Sequence, residues 1–293
     1  MRILLFTNLV KQGDEHFLRQ LMDKLDEKGI TVGVMHPGLL DVLAMVRPGT
    51  SYALVNNKEE LNAFGPDFIL SLGGDGTILK AATLACEPKI PLLGINLGRL
   101  GFLSSVEKSM ATAAIDKLVE GSYIVEERSM LSVRSNHALF GDLPFALNDF
   151  TIHKRDTSSM ISIHTYINGE YLNTYWADGL IVATPTGSTG YSLACGGPII
   201  FPGSKSFVIT PIAPHNLNVR PLVIRDDVEI SFEIEGRAEN FLCTMDSRFE
   251  TISDDYKIAV QKSQHSTQLV LLEGMRYMAT MREKLLWGLD RRN

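Results

Sequence analysis

Pro66-Asp67-Phe68-Ile69-Leu70-Ser71-Leu72-Gly73-Gly74-Asp75-Gly76-Thr77 is the stretch that decides the fold. Residues 68–72 form a short apolar run, suited to a strand buried on both faces. A glycine-rich turn follows, and residues 77–86 have helical character. A strand that runs through such a turn into a helix is a unit of a parallel α/β sheet. The pattern repeats on either side. Residues 3–7 and 30–34 read as buried strands. Between them Phe17, Leu18, Leu21, Met22 and Leu25 share one helical face, with Asp14 as a candidate cap and Gly29 closing the helix. Residues 91–95 are another strand, and residues 112–119 a helix ended by Gly121. Residues 37–57 give no clear pattern.

The reading changes near Arg128. Residues 130–135, 160–167, 180–183, 207–210, 228–234, 240–245, 257–260 and 268–272 are short strand-like runs without helices between them. Asn168-Gly169 is the strongest hairpin signal in the chain. Residues 275–293 turn helical again, with Leu285, Leu286 and Trp287 near the end and a polar Arg291-Arg292 tail. The expected fold is therefore an α/β + β chain. Residues 1–127 form a doubly wound α/β domain, residues 128–272 an antiparallel β-sandwich-like domain, and residues 273–293 a helical tail packing back on the first domain.

The bulk numbers agree with a globular protein. The 293 residues suit about two domains of ~150 residues. Hydrophobic residues make up 45% and charged residues 21%, which excludes a disordered or fibrous chain. Lys and Arg number 28 against 34 Asp and Glu, a net charge of −6, so nothing in the bulk charge attracts a nucleic-acid backbone. Cys86, Cys195 and Cys243 lie far apart, with no Cys-x-x-Cys pair and no Cys/His cluster, which argues against structural zinc and fits a reducing compartment. Residues 1–6 are too short an apolar run for a signal peptide. The uncharged stretch 179–204 is too rich in Gly, Pro, Ser and Thr for a membrane helix. A soluble cytoplasmic protein without membrane or nucleic-acid partners is expected.

The chemistry concentrates at Gly73-Gly74-Asp75-Gly76-Thr77. Glycines let a backbone turn tightly and approach a bulky anion, and a helix N-terminus suits phosphate. A lone Asp-Gly is ordinarily a turn. Three glycines around one aspartate, between strand and helix, favour a phosphate loop instead. An acid there repels phosphate, so its presence needs a chemical reason. It can take a proton from an attacking hydroxyl, or it can hold a phosphate-bound cation. No Gly-x-x-x-x-Gly-Lys-Ser/Thr is present, and Leu79 stands where a dinucleotide fingerprint places its third glycine. A Walker-type NTPase is thereby excluded and a conventional dehydrogenase disfavoured. A second block, Asp178 to Ser192, is crowded with hydroxyls and glycines that suit phosphate or ribose, or simply form a loop. Tyr191 there either stacks on a base or fills core.

Taken in order, Gly73-Gly74-Asp75-Gly76-Thr77, Asn96-Leu97-Gly98-Arg99-Leu100-Gly101-Phe102-Leu103, Leu147-Asn148-Asp149, Asp178 through Gly197-Pro198, and Arg220-Pro221-Leu222 resemble the signature of bacterial NAD kinases. The glycine block alone is shared with lipid kinases and phosphofructokinases, whereas the Asn96 and Asp178 blocks are specific. The resemblance covers residues 68–247. It implies phosphoryl transfer from ATP, or from polyphosphate, to the 2′-hydroxyl of the adenosine ribose of NAD, giving NADP. Asp75 matches the family's general base. Gly73, Gly74, Gly76 and Thr77 match the phosphate loop, and Lys80 a basic position beside it. Asn148 and Asp149 match the holders of the adenine-side nucleoside. Asp178 and Thr189, Gly190, Tyr191, Ser192, Leu193 and Ala194 complete the NAD site. The resemblance also implies a divalent cation, Mg2+, carried with ATP rather than by a protein-only site, no tightly bound prosthetic group, and a homodimer or homotetramer.

Four positions depart from the family pattern. Asp149 is often glutamate there, so its carboxylate reaches one methylene less far. Gly190 replaces a common alanine. Trp176 stands where many members carry a basic residue that meets the NAD pyrophosphate. Arg248, after Asp246-Ser247, replaces a frequent glutamine, and either supplies that cation or is a surface residue. His215, and the small basic group His153-Lys154-Arg155, read as structural or solvated before they read as ligands. The competing readings are a lipid or sugar kinase with the same glycine loop, a non-catalytic NADP(H) sensor, and a dehydrogenase. The Asn148-Asp149 and Asp178 blocks argue against the first, the intact Asp75 against the second, and the broken fingerprint against the third.

Overall fold

The computed structural model describes residues 1–8, 13–98, 101–104, 106–155, 159–237, 239–274 and 277–288. The chain divides into two compact units, one of Met1–Glu126 with Thr267–Asn293, the other of Glu127–Ser266.

The first unit follows the expected alternation: β1 (Arg2–Phe6), α1 (Glu15–Glu27), β2 (Thr31–Val34), α2 (Pro37–Val46), β3 (Ala53–Leu54), α3 (Lys58–Phe64), β4 (Phe68–Leu72), α4 (Asp75–Ala85), β5 (Leu92–Asn96), β6 (Val106–Glu107) and α5 (Ala111–Glu120). The strands pair in parallel in the order β3-β2-β1-β4-β5-β6, with Ile3 opposite Val32, Leu5 opposite Leu70 and Leu70 opposite Leu93. From β1 the chain winds to one side and then returns to β4 on the other. In open α/β sheets, ligands bind at the carboxyl ends of the strands flanking such a reversal. The glycine loop begins at the end of β4. The five apolar residues of α1 named above are all buried, so the helical face read from the sequence is the face that packs.

Three local expectations change. Asp14 precedes α1 but makes no side-chain cap; its carboxylate instead takes Lys108 Nζ at 2.6 Å. The unclear stretch 37–57 holds α2 and β3. The helix α3 has no counterpart in the sequence reading, although Asn57 caps it by accepting the Glu60 amide at 2.8 Å.

The second unit is built from strands: β7 (Tyr123–Ser135), whose first residues belong to the first unit, then β8 (Phe145–Ala146), β9 (Asp149–Lys154), β10 (Ile161–Ile167), β11 (Glu170–Ala177), β12 (Gly179–Ala183), a short α6 (Tyr191–Ala194), β13 (Ser206–Ile212), β14 (Leu222–Arg225), β15 (Ile230–Glu235), β16 (Phe241–Met245), β17 (Arg248–Ile252) and β18 (Ile258–Leu272). One antiparallel sheet runs β14-β13-β12-β9-β16-β17; in the other β11, β10, β15 and β18 are neighbours and β7 pairs with β18. Their inner faces share a core in which the rings of Phe150 on β9 and Phe232 on β15 stack with centroids 6.3 Å apart. This is the sandwich-like packing expected from the alternating runs. Asn168 and Gly169, with φ of 51° and 81°, make the β10–β11 hairpin.

The two runs 257–260 and 268–272, expected as separate strands, are one strand, β18. Its residues from Thr267 onward belong to the first unit, where Leu269 pairs with Leu92 of β5, so the unit ends earlier than residue 272. A last helix, α7 (Tyr277–Leu285), is shorter than the 275–293 segment expected from the sequence, and residues 275–276 and 289–293, with Arg291 and Arg292, lie outside the described residues. Among the described residues no helix is long and apolar enough to cross a membrane.

Candidate active site

The glycine loop owes its shape to a close approach. A Cβ on Gly73 would lie 2.3 Å from Thr77 Oγ1, so the loop folds back on the first turn of α4 only without a side chain there. At Gly74 and Gly76, by contrast, a Cβ would meet open space. Gly74 is the N-cap of α4 and makes no side-chain cap, leaving the helix N-terminus to present its amides and its positive dipole end. Thr77 is buried and receives Asn8 Nδ2 at 3.4 Å on its hydroxyl. Lys80, one turn further on, is exposed.

Asp75 opens α4 and its carboxylate is gripped. Oδ2 accepts the amide of Phe102 at 2.8 Å. Oδ1 accepts the amides of Leu103 at 3.1 Å and Ser104 at 2.9 Å, and the Ser104 hydroxyl at 3.0 Å. A Cβ on Gly101 would stand 1.8 Å from Asp75 Oδ1, which explains a glycine at that point of the second block. Asn96 completes the arrangement: its Nδ2 donates to Ser104 Oγ at 2.9 Å and its Oδ1 accepts the Gly98 amide at 2.7 Å. The sequence alone assigns Asn96 and Gly101 no role and does not single out Ser104. Arg99 and Leu100 of the same block lie outside the described residues. Beside Asn96, Leu97 and Gly98 a cleft of about 520 Å³ opens against His16, Phe17 and Gln20 of α1 and against Lys108.

In the second unit, Asn148 and Asp149 lie at the start of β9 and are crossed by the loop that follows β12. The Asn148 carbonyl accepts the Thr184 amide at 2.9 Å, and the Thr184 hydroxyl donates to the Leu147 carbonyl at 2.6 Å. A Cβ on Gly187 would lie 2.1 Å from the Asn148 carbonyl oxygen. The side chains of the pair face Gly190: a Cβ there would sit 3.4 Å from Asn148 Nδ2 and 3.9 Å from Asp149 Oδ2. The alanine methyl that Gly190 lacks would therefore be in ordinary contact with both. Asn148 Oδ1 is buried and has no hydrogen-bond partner, so it is available to a ligand donor. Asp149 is buried, and its carboxyl is pushed up to about 7, first by that burial and then by the neighbouring charge of Asp246.

The loop brings Thr189, Gly190, Tyr191, Ser192, Leu193 and Ala194 together with the pair but gives them different roles. The Ser192 hydroxyl is buried against Thr210 Oγ1 at 2.8 Å, and the Thr189 hydroxyl donates to the Thr186 carbonyl at 3.0 Å. Both hydroxyls thus hold the loop. Tyr191 is 43% exposed, which leaves its ring face free for stacking. Asp178 is ion-paired with Lys154, Oδ1 to Nζ at 2.6 Å, so the small basic group read near residue 154 supplies a partner to an expected site residue. Trp176 is half exposed and its ring lies 4.3 Å from that of His215, whose amide donates to the Trp176 carbonyl. The Arg248 guanidinium donates to the carbonyls of Leu143 and Phe145 and sits over the Phe140 ring.

Among the described residues no group of three or more His, Cys, Asp or Glu is arranged to hold a metal ion.

Comparison with known proteins accounts for both units. Residues 8–123 match the ATP-NAD kinase N-terminal domain, and residues 147–272 the ATP-NAD kinase C-terminal domain. The chain is 53% identical over 242 residues to a protein named NAD kinase from Cytophaga hutchinsonii, covering 83% of this chain and 82% of that one. It is 40% identical over 295 residues to an NAD kinase from Flavobacterium psychrophilum, covering 100% of each. Among solved structures, yeast NADH kinase complexed with NADH aligns with a TM-score of 0.84 at 22% identity, covering 98% of this chain and 88% of that one. An NAD kinase from Archaeoglobus fulgidus in complex with ATP aligns with a TM-score of 0.74 at 24% identity, covering 98% and 99%. At these identities the structural likeness is one of fold.

Proposed function

The chain belongs to the NAD kinase family, and we propose that the gripped Asp75 and the Asn148-Asp149 pair are the base and the nucleoside clamp of that activity. The reaction is phosphoryl transfer to the 2′-hydroxyl of the adenosine ribose of NAD, giving NADP. A ribose hydroxyl is a poor nucleophile near neutral pH, and a carboxylate within hydrogen-bond reach helps it attack. The observation that carries the assignment is the set of four hydrogen bonds on Asp75, three on Oδ1 and one on Oδ2. They fix the carboxylate while Oδ2 keeps a lone pair for the departing proton.

The remaining assignments follow from charge and shape. Phosphoryl transfer needs alignment and neutralisation of charge, with no covalent intermediate on the protein. The amide end of α4, at Gly74 and Gly76, receives phosphate oxygens, and Lys80 adds a positive charge beside it. Asn148 Oδ1 accepts from the adenosine, and Asp149 from a ribose hydroxyl. Trp176, backed by His215, offers a stacking face. ATP is the donor of this reading, with polyphosphate as the competing donor. The divalent cation arrives with the donor's phosphates as part of that substrate. The unpaired cysteines fit a cytoplasmic protein, and the sheet-edge strands β11, β14 and β17 offer edges for a homodimer or homotetramer.

The test is incubation of the purified protein with NAD, ATP and magnesium, reading NADP with an NADP-specific dehydrogenase. NADP must accumulate in proportion to enzyme. Binding of NADP(H) without product from either ATP or polyphosphate would instead identify a sensor.

A further inference from the structure

Three successive amides of the second unit converge on one carboxylate. Asp246 Oδ2 accepts the Leu147 amide at 3.0 Å, and Oδ1 accepts the amides of Asn148 at 2.8 Å and Asp149 at 3.2 Å. The contact is returned, because the Asp246 amide donates to the Asp149 carbonyl at 3.1 Å. Asp246 sits in the two-residue turn between β16 and β17, where Met245 pairs with Arg248. Its φ of 51° lies in the left-handed region, where glycine is the easier residue. A carboxylate kept at a position that favours glycine, and aimed at the backbone of a neighbouring strand, implies a contact that offsets the strain.

We infer that Asp246 is a positioning residue for nucleotide binding: it clamps the backbone of residues 147–149 so that the Asn148 and Asp149 side chains present themselves to the adenosine. Successive amides that point at one carboxylate form a nest, and a nest fixes φ and ψ of the residues that build it. Those dihedrals aim the Cα–Cβ bonds of Asn148 and Asp149, and the short side chains have little freedom to correct a misdirected backbone. The Thr184 amide on the Asn148 carbonyl braces the same residues from the other side.

The inference rests on Asn148 and Asp149 being the nucleoside clamp, so the experiment separates the two claims. Asp246→Gly suits the turn conformation and removes the carboxylate. Asp246→Asn retains one acceptor oxygen and replaces the other with an NH2 that opposes an amide. Asn148→Ala reports on the clamp directly. The KM values for NAD and for ATP, and kcat, are measured for each, with thermal melts as a control of folding. The expected result for Asp246→Gly is a KM for NAD raised at least about 10-fold, a KM for ATP within twofold of the wild type, and kcat little changed. Asp246→Asn should fall between the two, and it decides the matter alone if Asp246→Gly does not fold. A KM for NAD within twofold of wild type in the Asp246 variants, beside a raised one in Asn148→Ala, overturns the positioning role. An unchanged KM for NAD in Asn148→Ala overturns the clamp assignment, and the inference with it.

Discussion

Ser104 Oγ lies 3.0 Å from Asp75 Oδ1 and donates its proton there, while accepting from Asn96 Nδ2 at 2.9 Å. Ser104 is completely buried. Through it the residue at the end of β5 is wired to the acid at the start of α4, and the glycine block and the Asn96 block of the first unit become one device. Ser104→Ala removes one charge-assisted hydrogen bond to Asp75 and the bond that Asn96 Nδ2 donates to the same hydroxyl. It should cost about 2–3 kcal/mol in denaturant unfolding, with a smaller loss of activity because three amides still hold Asp75. No change in the unfolding midpoint would show that the hydroxyl is dispensable.

Gly101→Ala attacks the same device by volume. Its Cβ would overlap Asp75 Oδ1 at 1.8 Å and Ser104 Oγ at 2.7 Å, so the loop or the acid has to move. Misplacing a reacting group by about 1 Å costs on the order of 100-fold in rate. The prediction is a kcat reduced by at least that factor with KM for NAD little changed. A variant with wild-type kcat would show that the loop can shift without disturbing the base.

Gly187→Ala is the corresponding test in the second unit. The new Cβ would lie 2.1 Å from the carbonyl oxygen of Asn148, a backbone atom that cannot swing away. Overpacking of this kind costs about 1–3 kcal/mol. The variant should melt at a lower temperature and bind NAD more weakly, as isothermal titration would show.

Asp149 predicts a pH dependence with a definite sign. Its carboxyl titrates near 7 in the folded chain, above the ~3.9 of an unfolded aspartate. The folded state therefore holds more protons between about pH 4 and 7. The stabilisation is complete below about pH 4 and is lost as pH rises through about 7. Asp246 faces Asp149 from the β16–β17 turn, Tyr191 and Cys195 from α6 and its end, and Thr151 from its own strand. Asp246 is itself raised by burial, against the lowering effect of its three amides and the Arg248 charge, so both acids shift in the same direction. Against wild type, Asp149→Asn should gain stability as nucleotide-free protein is taken from pH 5 to pH 8. A ribose hydroxyl donates best to the ionised acid, so the wild-type KM for NAD should fall over the same range. The opposite slope in melting temperature would contradict the burial argument.

Much of the fold is legible in the sequence because its elements announce themselves locally. The apolar face of α1, the five-residue runs of β4 and β5, and Asn168-Gly169 each satisfy a single period or a single turn rule. What escapes depends on distant partners. The strand β9 begins at Asp149, whose neighbours in sequence give no clean alternation, and it is defined by β12 and β16 on either side. The long β18 reads as two strands because the polar residues 261–268 interrupt its apolar pattern. The same holds for the site. Glycines at tight approaches and an acid in a phosphate loop are visible in a linear sequence. Ser104, 29 positions from Asp75, and Asp246, 98 positions from Asn148, act through backbone amides and leave no mark in composition or spacing. Arg248 shows the converse: a residue type suited to phosphate, whose guanidinium the fold turns onto two carbonyl groups.

The most direct test of Asp75 as the base compares NADP formation by the wild type and by Asp75→Asn, at saturating NAD and ATP with magnesium. The variant keeps the shape of the side chain and most of its contacts to Phe102, Leu103 and Ser104 but takes no proton. General-base catalysis is worth about 100- to 10,000-fold. A kcat lowered by that factor, with NAD binding retained, is the predicted result; an Asp75→Asn enzyme that turns over at the wild-type rate contradicts it.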